Sequence, residues 1–492
     1  MASSYHSTRS TQNACTAKRA VLGGLAPDGG LYVTDALGAV QVDLARVAKQ
    51  AYAENAAYIL GLLLDDYSAD EIADCVQAAY GDTFASEAVT PLVPVGDDYV
   101  LELYHGPTSA FKDVALQMLP QLMSRAAAHA GERIMILAAT SGDTGKAALA
   151  GFADTPGLGI TVFYPHGGTS EIQRLQMVTQ AGGNVAVAAV RGNFDDTQST
   201  VKAIFGDAAL RERLAAKGAV LSSANSINIG RLAPQVVYYF DAYAQLVRAG
   251  RIEVGDAVEF CVPTGNFGDV LAGYFAKRMG LPVSRLIVAS NANNVLSDFL
   301  STGVYDRNRP FFKTISPSMD ILVSSNLERL LYYAADGDCE LVARLMDDLA
   351  RTGRYEVPPA LLSRIRETFA CGWASDAQAS AAIEAGFKAE GYVMDPHTAC
   401  GWHVMQGAAR TQAPRVLLST ASPYKFCRSV CAAMGLPSEG DDFACMRELE
   451  SASGVLAPAA LSALQGATER FSDVIEASDM PAYVERKCGE LL

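Results

Sequence analysis

No run of about 18 uncharged apolar residues occurs in this 492-residue sequence, so no membrane-spanning helix is expected. The apolar segment Tyr58–Leu64 stops at Asp65 and Asp66, as a buried helical turn does. None of the ten cysteines forms a CxxC pair, and the six histidines lack the spacing of metal ligands. No metal site is therefore expected, and the thiols read as reduced and mostly buried, as in a cytoplasmic protein. Cys427 and Cys431, four apart, belong on one helix face. Positive charge is not in excess: 39 Lys and Arg stand against 54 Asp and Glu, a formal net charge of −15. That balance disfavours nucleic acid as a partner and suits a soluble chain kept apart by self-repulsion. The first twenty residues lack the apolar core of a secretory signal; they are rich in Ser and Thr, carry Lys and Arg and no acid, and so have the composition of a transit peptide. Internal repeats and low-complexity segments are missing, and Gly (42) and Pro (20) are at ordinary levels, which excludes a collagenous or disordered chain.

What is present is enough apolar material for a large core, half of all residues, in a chain long enough for two to four domains. Residues 40–80 carry helical periodicity (Val40, Leu44, Val47, then Ile59, Leu60, Leu63, Leu64), and Ser68 with Glu71 forms a capping box opening a helix to about Ala79. A small helical N-terminal domain ending near Pro91–Pro94 follows. Beyond it, short apolar runs alternate with helical patterns. Strands are predicted at 99–104, 133–139, 159–164, 184–190, 258–262, 286–289 and 416–418. Helices are predicted at 113–130, from about Thr144, and at 170–181, 195–205 and 268–278. This alternation predicts an α/β protein with parallel sheets. The acidic 436–450 segment and the tail to Leu492 read as helices and loops.

Five segments carry chemistry. In Tyr104–Asp113, Lys112 sits among small and turn-forming residues at a helix start, where the positive dipole end lowers an amine's pKa; it reads either as a surface lysine or as a Schiff-base lysine. His105 reads as a cofactor contact or as a packed histidine at a strand end. The segment Ala138–Lys146 follows a strand and opens a helix, so its backbone N–H groups and hydroxyls suit a carboxylate or phosphate. It fails as a P-loop, because Thr140 and Ala147 stand where that motif needs Gly and Ser or Thr. In Pro263–Asp269, Gly265 and Gly268 let the backbone approach an anion before another helix. The polar run Ser222–Asn228 with Arg231 suits an anionic substrate group, since Arg grips phosphate bidentately. The hydroxyls of Ser419, Thr420 and Ser422 at a strand end read as partners of a ring nitrogen or as a helix cap. A nucleophilic lysine with a backbone-rich anion cradle is what pyridoxal 5'-phosphate requires.

The chain resembles the threonine synthase family, in the longer form found in fungi and many bacteria. The resemblance rests on Tyr5, Ser7–Arg9, Gly24–Tyr32, His105–Thr108 with Ala110–Asp113, Thr140–Gly145, Asn225–Asn228, Pro263–Asp269, Ser316–Asp320 and Ser419–Ala421. It begins almost at Met1, so no cleaved leader is expected. It implies two parallel-sheet domains of the fold-type II pyridoxal-phosphate kind, like tryptophan synthase β, with an additional mainly helical N-terminal domain. The expected division is 1–95, 96–250 with Lys112 and the 140–145 loop, 251–435 with the 263–269 loop and Thr420, and a helical tail at 436–492. By the same resemblance Lys112 is the Schiff-base lysine, and Gly265, Asn266, Phe267, Gly268 and Asp269 hold the cofactor. Thr420 lies near the pyridine nitrogen, and Thr140, Ser141, Gly142, Asp143 and Thr144 hold the substrate carboxylate. Asn225, Ser226, Asn228 and Arg231 serve the substrate phosphate or a cofactor hydroxyl. The implied reaction turns O-phospho-L-homoserine and water into L-threonine and phosphate. A related phospho-lyase outcome releases phosphate, 2-oxobutyrate and ammonia instead. A cytoplasmic monomer or small homo-oligomer is expected. The sequence departs from the family at Ser422, where His is frequent, at Ser109, and in the segment after Asp320.

Overall fold

The computed structural model describes residues 4–140 and 142–492. The chain opens with strands β1 (Tyr5–Ser7), β2 (Ser10–Cys15) and β3 (Tyr32–Thr34), which form an antiparallel sheet in the order β2-β1-β3. Strands of three to six residues give too few positions for alternation to show, so the helical reading of this region missed them. The helices Tyr52–Leu63 and Ala69–Tyr80 are as the periodicity predicts. Ser68 accepts a hydrogen bond from the Glu71 N–H and Glu71 returns one from the Ser68 N–H, closing the capping box; Ile72, Cys75, Val76 and Ala79 bury the facing stripe. Residues 40–48 give only the single turn Leu44–Val47, started by Asp43 on the Ala45 and Arg46 amides.

The remaining strands are, in chain order, β4 (Leu92–Val95), β5 (Asp98–Glu102), β6 (Arg133–Ala139), β7 (Leu158–Pro165), β8 (Val185–Val190), β9 (Ala219–Ser222), β10 (Val258–Pro263), β11 (Val283–Ser290), β12 (Val304–Asp306), β13 (Arg354–Glu356), β14 (Phe369–Trp373), β15 (Arg415–Ser419) and β16 (Val474–Ile475). A six-stranded sheet has the order β14-β11-β10-β15-β5-β4 and is parallel except at the β4–β5 edge hairpin. A five-stranded sheet, β16-β8-β7-β6-β9, is parallel throughout. All of β7 and β8 is buried, the pattern of strands covered on both faces. The tail contributes β16 to this sheet, a strand too short to read in the sequence, and its last helix, Met480–Leu491, packs on β7.

Two features place the site. The helix Ile229–Arg248, buried over most of its length, packs against the Lys112–Ala130 and Gly268–Arg278 helices and the N-terminal Tyr52–Leu63 helix, joining all three regions. Strand β5, immediately before the lysine turn, pairs in parallel with β15 of the larger sheet (Val416 opposite Tyr99, Ser419 opposite Glu102). The Lys112 turn is thus where the chain leaves the six-stranded sheet and crosses to the five-stranded one. No helix among the described residues is long and apolar enough to cross a membrane. Among the same residues no group of three or more His, Cys, Asp or Glu is placed to hold a metal ion.

Candidate active site

The lysine turn is held by its own acid. Buried Asp113 accepts hydrogen bonds from the Thr108 N–H (2.8 Å) and hydroxyl (2.6 Å), and Gly106 passes so close that a Cβ there would lie 2.5 Å from the Asp113 Cβ. The turn is fastened to the end of β15: the Phe111 N–H donates to the Thr420 carbonyl (2.8 Å) and the Ser422 N–H to the Ser109 carbonyl (3.1 Å). Thr420 is therefore adjacent to Lys112 although 308 residues separate them in the sequence. Lys112 starts its helix and is only 9% exposed, with its amine 4.6 Å from the Phe111 ring centre and 3.9 Å from Asp143 Oδ2. Burial pulls the amine down to about 8; Asp143 pushes against this, while Lys425 and Arg231 add to it. A lysine with that value has a substantial neutral fraction near neutral pH, as a base or nucleophile needs.

Two strand-to-helix loops face this amine. After β6, the Thr140 hydroxyl accepts from the Gly142 and Gly145 N–H groups (both 3.0 Å), folding the turn, and the helix Asp143–Phe152 begins; Gly145 packs so tightly that a Cβ would lie 2.3 Å from Thr140 Cγ2. Ser141 lies outside the described residues. Asp143 accepts from Gln173 (3.1 Å) and pairs with Lys425 (2.8 Å). Burial raises its pKa, yet Lys425 and then Lys112 lower it more, so the carboxyl ends well below the usual carboxylate range. After β10, Gly265 and Asn266 lead to Phe267 at φ +64°, immediately before the Gly268–Arg278 helix. A buried Phe in the left-handed region is strained by about 1–2 kcal/mol. Its ring is held 5.7 Å from that of Phe369, packing that offsets the strain at the start of the helix. Asn326 ties this loop to the 225–228 loop, donating to the carbonyls of Ser226 (3.1 Å) and Asn266 (3.2 Å).

Besides the Ser109 hydroxyl in the lysine turn, two buried charged groups at the site have atoms with no hydrogen-bond partner among the described residues: Arg231 Nε and Asp269 Oδ2. Arg231 is 3% exposed and donates to the Ala224 carbonyl (2.9 Å); burial draws its pKa down to about 10. A guanidinium held in this way fits an anionic ligand group. Asp269 accepts from the Tyr238 and Tyr239 hydroxyls, and burial pushes its pKa up to about 7 against those donors and Lys112. An amine of lowered pKa, a strained glycine-bearing loop at a helix N-terminus and a buried guanidinium whose Nε has no partner among the described residues together fit a phosphate-bearing aldehyde cofactor.

Not every expected residue faces this centre with a free group. Asn228 uses its amide structurally, donating to the Val21 carbonyl (2.9 Å) and accepting from the Gly230 N–H (2.8 Å), so it shapes the loop before the Arg231 helix. Asn225 is exposed, and the Ser226 hydroxyl lies 3.4 Å from that of Ser325. Thr144 is partly buried in the first turn after β6. His105 pairs with Glu102 (2.8 Å) and stacks on Tyr104, the packed reading. Sequence reasoning missed Lys425, Asn326 and Arg329. The last is fully buried and donates to the carbonyls of Tyr32 and Ile227 and to Asn326. Lys425, five residues beyond Thr420, left a trace in its nearness to the hydroxyl cluster; the other two left none, since apart from each other their partners are distant in sequence.

This fold with this site defines a pyridoxal-phosphate-dependent enzyme. Residues 4–80 match the family "Threonine synthase N terminus", 85–421 "Pyridoxal-phosphate dependent enzyme", and 398–483 "Threonine synthase, C-terminal". The chain belongs to the threonine synthase family. It is 41% identical to the threonine synthase of Pseudomonas aeruginosa over 430 residues, covering 87% of this chain and 89% of that protein. The solved structure of pyridoxal-phosphate-bound threonine synthase from Brucella melitensis superposes with a TM-score of 0.90 at 39% identity, covering 99% of this chain and all of that one. Human threonine synthase-like 1 is 38% identical over 436 residues; the match covers 84% of this chain but only 57% of that protein's length.

Proposed function

We propose that the chain converts O-phospho-L-homoserine and water to L-threonine and phosphate, the last step of threonine biosynthesis. The observation that carries this reading is the presence in one site of a partly neutral, buried Lys112 and the buried guanidinium of Arg231, whose Nε has no partner among the described residues. The family matches at both ends of the chain support it. Pyridoxal phosphate, when bound at Lys112, supplies the electron sink for carbanions of the substrate. The chain's own residues do the rest. Gly265, Asn266, Phe267, Gly268 and Asp269 hold the cofactor, and the Thr420 hydroxyl is the neutral partner of its ring nitrogen. The loop of Thr140, Gly142, Asp143 and Thr144, with Ser141, holds the substrate carboxylate at the start of a helix through backbone N–H groups and hydroxyls, the Asp143 carboxylate being turned to Lys425 instead. Arg231 grips the substrate phosphate, and Asn225, Ser226 and Asn228, on the loop before its helix, serve that phosphate or a cofactor hydroxyl. Lys112 takes the proton from Cα, gives it up within the site and, neutral again, takes the proton from Cβ; phosphate leaves from Cγ, and protons return to Cγ and Cα as water adds at Cβ. Water must stay out until phosphate has left, which calls for closure over the site.

The test is incubation of the purified protein with O-phospho-L-homoserine, following phosphate, threonine and 2-oxobutyrate together. Equal yields of phosphate and threonine are expected. Phosphate with 2-oxobutyrate and ammonia, and no threonine, would show the phospho-lyase outcome instead. Lys112→Ala should lose both the borohydride-trapped adduct and activity. The proposal extends to a cytoplasmic monomer or small homo-oligomer: all ten cysteines are free thiols, suited to a reducing compartment, and sedimentation gives the mass directly.

A further inference from the structure

Asp143 stands between two lysines. Its Oδ1 is 2.8 Å from the Lys425 amine and its Oδ2 is 3.9 Å from the Lys112 amine. Lys425 is itself buried and also donates to the Thr108 carbonyl (2.9 Å) in the lysine turn. An acid this close to Lys112 would, left to itself, form a tight ion pair with the amine and hold it protonated. It would also repel an anionic substrate from the 140–144 loop. We propose that Lys425 is a positioning residue for the reaction: by taking the hydrogen bond of Asp143, it leaves Lys112 beyond hydrogen-bond length from the carboxylate and free to lose its proton. The inference rests on the reading of Lys112 as the base.

The charged groups around Lys112 come from every element packed there. Asp143 lies on the helix after β6, Lys425 on the turn after β15, Arg231 on the long buried helix, Asp113 on the lysine's own helix and Asp269 at the start of the helix after β10. Asp143 and Asp113 favour the charged amine, whereas Lys425 and Arg231 disfavour it. Lys146 lies further along the helix after β6, at hydrogen-bond distance from Gln180. Of these groups, Lys425 alone forms a short ion pair with Asp143, so its removal acts twice. One positive charge disappears, and the carboxylate is released toward Lys112. Both effects raise the proton affinity of the Lys112 amine.

The experiment titrates Lys112 in the full-length chain freed of cofactor. Acetic anhydride labels neutral amines, and peptide mass spectrometry locates the Lys112 adduct as a function of pH. Lys425→Met is expected to move the Lys112 midpoint up by about one pH unit, so labelling at a fixed pH on the rising limb slows about tenfold. Lys425→Arg is expected to keep the midpoint, and Asp143→Asn to move it down. In the holoenzyme the pH limb of kcat should move with the midpoint in each variant. A role confined to anchoring Thr108 would lower stability in Lys425→Met without moving the midpoint, and that result overturns the proposal. If Lys425→Met does not fold, Asp143→Asn decides: an unmoved or raised midpoint overturns it. The labelling is read without substrate, so its outcome is separable from whether threonine is the product.

Discussion

Replacing Arg231 with methionine should strengthen the ligand-free fold and weaken the binding of phosphate, two effects of opposite sign from one buried charge. A fall in the guanidinium pKa from 12.5 to about 10 means that keeping the charge costs the ligand-free folded chain roughly 3 kcal/mol. Methionine fills similar space without charge and gives up one hydrogen bond to the Ala224 carbonyl, a loss of about 1 kcal/mol. The net expectation is a gain of about 2 kcal/mol in the unfolding free energy of the cofactor-free protein, read by denaturant titration at neutral pH. The same change removes a charge-assisted grip on phosphate, so the KM for O-phospho-L-homoserine, or the Kd for inorganic phosphate as a probe, should rise about a hundredfold, equivalent to about 3 kcal/mol. A variant that is destabilised while its phosphate affinity stays unchanged would refute the reasoning, because Arg231 would then be a structural group already satisfied by the protein.

Three other perturbations follow from single residues. Activity should rise with pH to a plateau above about 8, the value to which burial brings Lys112; stability of the cofactor-free chain should also rise between about 8 and 10.5, because there the unfolded lysine holds a proton that the folded one has lost. A kcat–pH profile and denaturant melts across that window check both signs. Ser109 sits at φ +57° with a buried hydroxyl that has no hydrogen-bond partner among the described residues, so Ser109→Gly should stabilise the chain by about 1 kcal/mol, seen as a Tm a few degrees higher. Burial pushes Asp269 up to about 7, so its ionisation weakens the cofactor-free fold as pH climbs from about 4 to 7, after which the loss is complete. Asp269→Asn should flatten that decline and melt higher than the parent at pH 8; a parallel decline in the variant would show that another group is responsible.

The α/β alternation was legible because long parallel strands and amphipathic helices repeat their pattern over enough residues to be counted. The strand Arg133–Ala139 and the helix Gly268–Arg278 have the bounds their patterns predict, and the Ser68 capping box forms as its spacing requires. The three N-terminal strands were not legible, being short and stabilised by pairing partners rather than by their own periodicity. The same division runs through the site. The types of group the chemistry needs — one lysine at a helix start, two strand-to-helix loops, one arginine in a polar run — are local properties, and the sequence by itself determined them. Which groups stay charged, and which one each acid pairs with, is not local. Lys112, Asp143, Asp269 and Arg231 take their proton affinities from burial and from charges brought by other elements of the chain. Lys425 reaches Asp143 only because β5 pairs with β15, more than 300 residues on. Coulomb energy depends on distance and on the surrounding medium, and both exist only once the sheets have assembled.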